Sequence, residues 1–397
     1  MPAVEIRPDI YWIGVNDRTT DLFEGLWPIT QEGVSYNAYL IDAEKKVLVD
    51  LVKGLKTDDF LSQIAEVADP AALDYIVVNH VEPDHTGILR TLSRIAPQAT
   101  ILCTEKAKAM LAAFYQVEDK VRSVEDGETL SLSSHSLQFV STPFVHWPET
   151  MMTYETTHQV LFSCDGFGGY GALQGAIFDD EYADLAFYEQ ESLRYYVNIV
   201  AAFSRPVLRA IDRLQDVPVQ IIAPSHGLIW RDAPSRIIEL YRQWASYATE
   251  EARPEVTLLY GSMYGNTELM MNAVAQGISD AGIGVEIFDV SRIHSSYILP
   301  SLWVRHGVII GAPTYEGSLF PPMAQMLDMA ARKRIRNRKA AYFGSFGWSG
   351  GGEREIQRLT ESLKWDLVDT FTFQGGPTQA GLKEGKQFGS RFAASLT

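Results

Sequence analysis

The stretch "NHVEPDHTG", residues 79–87, sets His80, Glu82, Asp84 and His85 within a few positions of one another. It follows "LDYIVV", residues 73–78, an apolar and β-branched run that reads as a buried strand. All four side chains can ligate a metal, and the mixture of imidazole with carboxylate is one that first-row metals accept. Charge gathered beside a buried strand is costly unless something compensates it. The stretch therefore predicts a metal site at a strand end.

Three more apolar runs end on a ligating side chain: "FVSTPFVH" at His146, "VLFSCD" at Asp165 and "VQIIAPSH" at His226. Strand ends bring residues distant in sequence to one rim of a sheet, where loops shape a site. Of the eight histidines, His80, His85, His146 and His226 fall in this set. His135, His158, His294 and His306 lie in polar or mixed surroundings and read as structural or solvated. A single strand-end histidine is more often a hydrogen-bonded structural residue than a ligand. The convergence of the whole set outweighs that reading.

At 397 residues, with 46% hydrophobic and 21% charged content, the chain has material for two or three packed domains. A net charge of −16 argues against nucleic acid or an anionic membrane as the main partner, since both need clustered Lys and Arg. Two cysteines, Cys103 and Cys164, make neither a disulfide framework nor a four-cysteine metal site. The start "MPAVEIRPDIYWIGV" lacks the basic, apolar form of a signal peptide, and no run approaches the ~18 apolar residues of a membrane span. A cytoplasmic location is expected.

The first part of the chain reads as strand-rich with hairpins, "SYNAYLI" with "KVLVDLV" and "ETLSLSS" with "SLQFVST", followed by "QVLFSCD". Helical patterns intervene at "TDDFLSQIAEVA", "GILRTLSRIA", "EKAKAMLAAFY", "FYEQESLRYYVNIVAAF" and "SRIIELYRQWASYA". The charged, proline-containing "TEEARPEVTLLYGS" marks a boundary near residue 251, giving domains 1–250 and 251–397. Beyond it strands and helices alternate: "VTLLYGS", "TELMMNAVAQGISDAG", "GVEIFDV", "GVIIGAP", "FPPMAQMLDMAAR", "KAAYFGSF" and "EREIQRLTESLKW". That order predicts a doubly wound parallel sheet.

The ligand pattern resembles the metallo-β-lactamase fold, an αββα sandwich. In the zinc hydrolases of that fold the third position of the run is typically histidine, and here it is Glu82. A carboxylate there adds charge and a hard oxygen donor, favouring iron or manganese over zinc. Seven ligands (His80, Glu82, Asp84, His85, His146, Asp165 and His226) suit two ions, with Asp165 as the bridge.

In the second domain "YGSMYGNTE", residues 260–268, joins the first strand to the first helix. Ser262, Met263, Tyr264, Gly265, Asn266 and Thr267 form a small, polar loop whose amides and helix N-terminus suit a terminal phosphate. It is neither a triphosphate loop nor GxGxxG. "GAPTYEGSLFP" adds Pro313, Thr314, Tyr315, Glu316 and Gly317, and "GSFGWSGGGE" adds Ser345, Phe346, Gly347, Trp348, Ser349 and Gly350. Tyr315 and Trp348 could cover a flat ring at the carboxyl ends of the strands, where open α/β sheets bind ligands. The three loops resemble flavodoxin, which implies FMN.

The two domains together resemble the flavodiiron proteins, and the resemblance covers essentially the whole chain. It implies one iron held by His80, Glu82 and His146, another by Asp84, His85 and His226, and Asp165 between them. It further implies reduction of dioxygen to water, of nitric oxide to nitrous oxide, or of both. Tyr195 and Tyr196 match a tyrosine pair of the family and are the expected proton or hydrogen-bond donors, against a plain packing role on a helix. Many members carry a histidine before the "YNAYL" strand; here "DLFEGLWPITQEGVSYNAYL" has none, and Glu24 or Gly25 stands near the place. With two cysteines, a separate electron donor is expected, a rubredoxin-like protein or a reduced deazaflavin. A head-to-tail homodimer or dimer of dimers is implied, with Trp147 and Trp348 as contact candidates. The competing readings are a binuclear metal hydrolase with an accessory flavodoxin-like domain, and an electron-transfer module with a vestigial metal site.

Overall fold

Short β-branched runs separated by amphipathic segments build an α/β chain, described by the computed structural model over residues 1–396. It divides into two compact units, Met1–Gln243 and a second beginning at Trp244.

The first unit holds two sheets. One runs in spatial order Val4–Arg7, Ile10–Trp12, Tyr39–Asp42, Lys46–Val49, Tyr75–Val77, Thr100–Cys103 and Val121–Ser123. Its first four strands pair antiparallel, and the rest are parallel. Parallel neighbours need crossovers, supplied by helices Thr57–Val67, Leu89–Ile95 and Glu105–Tyr115. The last of these starts where the Thr104 hydroxyl accepts from the Ala107 amide, an N-cap that stops the preceding strand.

The other sheet runs Thr129–Ser131, Ser136–Ser141, Met151–Glu155, Val160–Cys164 and Ile221–Pro224. Met151–Glu155 and Val160–Cys164 are buried at every residue, so both their faces are covered. The sheets meet where the Tyr39 ring packs 5.0 Å from Phe162 and Thr153 Oγ1 donates to Asn79 Oδ1 at 2.7 Å. This is the β-lactamase-like sandwich. The stretch read as one helix through "FYEQESLRYYVNIVAAF" is instead α-helical over Ala186–Tyr195, then a π-turn over Tyr196–Val200. The wider turn re-aims the side chains around Tyr195.

The second unit is a five-stranded parallel sheet ordered Val285–Asp289, Arg253–Tyr260, Arg305–Gly311, Lys339–Phe346 and Asp366–Gln374. This 2-1-3-4-5 order is the flavodoxin-like doubly wound topology. Val256, Leu258, Ile309 and Phe343 from the strands pack against Met270, Val274, Phe388 and Phe392 from two helices. Those helices, Asn266–Asp280 and Gln379–Ala394, approach closely: a Cβ on Gly277 would stand 1.9 Å from the Lys386 carbonyl oxygen, and one on Gly389 2.1 Å from that of Val274. Helix Ser295–Val304, strand Asp366–Gln374 and helix Gln379–Ala394 complete the unit beyond the elements read from the pattern. Among the described residues, no helix is long and apolar enough to cross a membrane.

Candidate metal centre and flavin site

Tyr75–Val77 and Val160–Cys164 run almost directly into His80 and Asp165, and Ile221–Pro224 ends just before His226. His80, Glu82, His146 and Asp165 form one group of converging ligand atoms, and Asp84, His85 and His226 form another. In the first, His80 Nε2 and His146 Nε2 each lie 3.1 Å from Glu82 Oε2, and 3.4 and 3.2 Å from Asp165 Oδ2. In the second, His85 Nε2 is 3.5 Å from Asp84 Oδ1 and 3.0 Å from Asp165 Oδ1. His226 Nε2 is 3.4 Å from both Asp84 Oδ2 and Asp165 Oδ1. Asp165 thus turns one oxygen to each group.

These spacings fit ions. Ligands held at ~2.1 Å on a common metal stand ~3 to ~3.5 Å apart. Two of the inward-facing atoms, Asp165 Oδ2 and His226 Nε2, are buried and make no hydrogen bond among the described residues, and neither does Asp84 Oδ1. Unmet acceptors at one focus are what a cation satisfies. Behind the rings, His80 Nδ1 lies 2.7 Å from Glu149 Oε1 and His226 Nδ1 lies 2.7 Å from the Ser35 carbonyl oxygen. Each outer N–H so placed leaves its Nε2 lone pair for a metal. The donor set of four imidazoles and three carboxylates suits iron.

Without metal, these groups hold one another's protons. Burial opposes an imidazolium at His85, but Asp84 and Asp165 outweigh it and raise the pKa to about 10. Burial likewise opposes charge at His146 and His226, yet Asp165 with Glu82 lifts the former to about 10, and Asp165 with Asp84 lifts the latter to about 9. Asp165 stays well below the usual carboxylate range despite its burial, because His85, His146 and His226 surround it.

The two tyrosines part company. Tyr195 Oη donates to Asp165 Oδ1 at 2.8 Å, with its ring 5.5 Å from that of His226. The Tyr196 hydroxyl pairs with Ser204 Oγ at 2.7 Å, and its ring meets Tyr241 edge-on. Glu24 and Gly25 line a cavity of about 390 Å³ with Phe23, Tyr36, Lys53, Glu82 and Asp84. There burial and the Glu82 carboxylate push Glu24 up to about 7. Glu149 and Ser35 escaped the sequence reading; the acid close behind His146 in "HWPET" was the available signal.

In the second unit a cavity of about 380 Å³ is lined by Ser262, Met263, Tyr264, Asn266 and Thr267, by Pro313 to Glu316, and by Ser345 to Trp348. Gly375, from the loop after Asp366–Gln374, joins them and was not anticipated. Gly265, Gly317, Ser349 and Gly350 are outside this lining. Gly265 instead holds φ +88° at the start of helix Asn266–Asp280, with its N–H on Ser262 Oγ at 3.0 Å. Around the cavity Tyr264 is 89% and Trp348 91% exposed, and Met263 and Tyr315 are also open. Uncovered apolar rings over a cavity of this size, with a helix N-terminus at one end, fit a flat aromatic cofactor bearing a phosphate.

Comparison with known proteins matches both domains. Residues 34–227 match the ODP family beta lactamase and residues 258–389 match Flavodoxin. The anaerobic nitric oxide reductase flavorubredoxin of Pectobacterium carotovorum is 38% identical over 98% of this chain and 78% of its own length. That of Escherichia coli K12 is 36% identical over 98% of this chain and 82% of its own. Rubredoxin oxygen:oxidoreductase from Desulfovibrio gigas superposes with a TM-score of 0.93 at 30% identity, covering 99% of this chain and 98% of that one. The flavodiiron protein of Giardia intestinalis gives 0.94 at 28% identity, covering 100% and 97%. These relatives are oxidoreductases rather than hydrolases, and along nearly its whole length the chain belongs with them to the flavodiiron proteins, which combine a diiron centre with FMN.

Proposed function

We propose that this chain reduces a small neutral diatomic, nitric oxide to nitrous oxide or dioxygen to water, at an iron pair fed through FMN. One observation carries the reading: Asp165 divides its two oxygens between two groups, each made of two imidazoles and a carboxylate. His80, Glu82 and His146 would hold one iron, Asp84, His85 and His226 the other, and Asp165 would bridge. When bound, the iron pair would bind and reduce the diatomic, and the flavin would supply electrons singly or in pairs.

The chain's own residues order the site around that chemistry. Glu149 and the Ser35 carbonyl fix two ligand rings by their outer nitrogens. Tyr195 donates its hydroxyl to Asp165 Oδ1 and so would orient the bridge; Tyr196, bound to Ser204, supports the helix behind it. Phe23 and Tyr36 wall the cavity beside Glu82 and Asp84, space that a diatomic could enter. In the second domain the Ser262–Thr267 loop would take the FMN phosphate, while Tyr315 and Trp348 would cover its ring.

The rest of the reading follows the family. The domains are 1–250 and 251–397, the location is cytoplasmic, and the working form is a head-to-tail homodimer or a dimer of dimers. The electron donor is a separate rubredoxin-type protein or a reduced deazaflavin. To test the reaction, purified protein with iron and flavin counted is reduced under anaerobic conditions and each gas is added separately. Nitrous oxide or water should form; reduced protein that consumes neither gas would sink the proposal.

A further inference from the structure

The outer nitrogens of the ligand imidazoles have unlike partners. His80 Nδ1 lies 2.7 Å from Glu149 Oε1, and both side chains are fully buried. His226 Nδ1 faces a neutral backbone carbonyl, that of Ser35. His85 Nδ1 is buried without a hydrogen-bond partner among the described residues. The inner atoms of the two groups are matched, two imidazoles and one carboxylate each, with Asp165 shared. The Tyr195 hydroxyl donates to Asp165 Oδ1 and so draws charge from the side facing the Asp84 group; further difference in the charge the two pockets favour comes from behind them.

An imidazole that donates to a carboxylate is a more basic ligand than one that donates to a carbonyl. Little dilutes the charge on Glu149. Apart from His80 its side chain accepts only from the Val81 amide, at 3.1 Å, and Oε2 has no partner among the described residues. Its backbone is pinned by Thr104 Oγ1, which donates to the Glu149 carbonyl at 2.8 Å. A buried charge of this kind acts strongly in the low-dielectric interior. The other buried carboxylate nearby, Asp50, accepts from Asn79 N and Nδ2 at 2.9 Å and bonds to neither His85 nor His80.

We propose that the two pockets are built for ions of unequal charge. The His80–Glu82–His146 pocket, backed by Glu149, favours the more highly charged ion, and the Asp84–His85–His226 pocket the less charged one. Glu149 is the positioning residue that sets the difference. The inference rests on the ligand assignment proposed above and gives the symmetric-looking centre a fixed polarity, so that an arriving electron has a preferred end.

Metal-free full-length protein is given iron(III) and zinc(II) together, and crystals are measured at the two absorption edges. Iron should occupy the His80 pocket at least tenfold over the other, and Glu149→Gln should bring the ratio towards even. An even or reversed distribution in the unaltered protein, with both ions seated among the seven side chains, overturns this inference alone. Ions found elsewhere overturn the ligand assignment as well. If Glu149→Gln retains no metal, Glu149→Asp withdraws the carboxylate from His80 and must also move iron towards the second pocket; an unchanged ratio removes Glu149 from the account.

Discussion

Tyr195 Oη donates at 2.8 Å to Asp165 Oδ1, the same oxygen that lies 3.0 Å from His85 Nε2. A hydrogen bond to a charged acceptor contributes about 1.5–3 kcal/mol, and one between two hydroxyls about 0.5–1.5 kcal/mol. Tyr195→Phe should therefore destabilise the metal-free protein by about 1.5–3 kcal/mol. Tyr196→Phe, which loses the Ser204 contact, should cost about 1 kcal/mol. Only Tyr195→Phe should alter the absorption of the iron-loaded centre. Denaturant titration and visible spectra check both halves, and equal spectral change in the two variants would refute the distinction.

Metal uptake should depend on pH in a direction the ligand cluster fixes. In the metal-free protein His85 and His146 are raised to about 10 and His226 to about 9, by carboxylates that outweigh burial. Raised imidazole pKa values stabilise the metal-free fold fully below the unfolded value of about 6.5, and that contribution fades as pH climbs through the folded values. Over the same interval protons compete less for the nitrogens, so divalent metal should bind more tightly. Thermal melts of the metal-free protein should fall between about pH 7 and pH 10, while indicator dyes report protons released on zinc addition at neutral pH. Uptake without proton release would mean that the imidazoles are already neutral.

The flavin-binding unit has its own weak point. Helices Asn266–Asp280 and Gln379–Ala394 touch through Gly277 and Gly389, and Ser390 Oγ donates to the Gly277 carbonyl at 2.9 Å. A side chain at either glycine drives into backbone 1.9 or 2.1 Å away, which only helix displacement relieves. Overpacking of this kind costs about 1–3 kcal/mol. Gly277→Val should lower the melting temperature of this unit and loosen FMN, because helix Asn266–Asp280 begins at the phosphate loop. Iron content should stay constant, and parallel loss of iron would count against the independence of the two sites.

Much of this was legible in the chain because His80, Asp165 and His226 follow closely on strand ends and four of the proposed ligands fall in one short run, although His146 lies in the loop beyond Ser136–Ser141 rather than at its end. Periodicity announces a strand, and residue type announces a ligand. What stayed hidden is non-local. Glu149 reaches His80 across 69 positions, and the partner of His226 is a backbone carbonyl 191 positions away, which no side-chain identity reveals. Strand Asp366–Gln374 is an edge strand whose residues are only partly buried, so its alternation is faint. The π-turn that separates Tyr195 from Tyr196 also escapes, since the helical pattern runs through both residues unchanged.

The proposed head-to-tail dimer makes a prediction about mixed chains. Asp165→Asn removes the bridge between the two ligand groups while leaving every residue of the flavin cavity in place, so it should lose iron and keep FMN. A second variant, Ser262→Ala with Thr267→Val, strips hydroxyls from the phosphate loop and should keep iron while losing FMN. Each alone should be nearly inactive. In a symmetric dimer where the flavin of one chain serves the irons of its partner, a heterodimer of the two holds one interface with both cofactors intact and one with neither. Mixing under conditions that exchange subunits should then restore up to about a quarter of the full activity, since half the dimers are mixed and each has one working interface of two. Iron and flavin content measured on the same sample establishes that each variant lost only its own cofactor. No recovery in a well-exchanged mixture would assign electron transfer to a path within one chain.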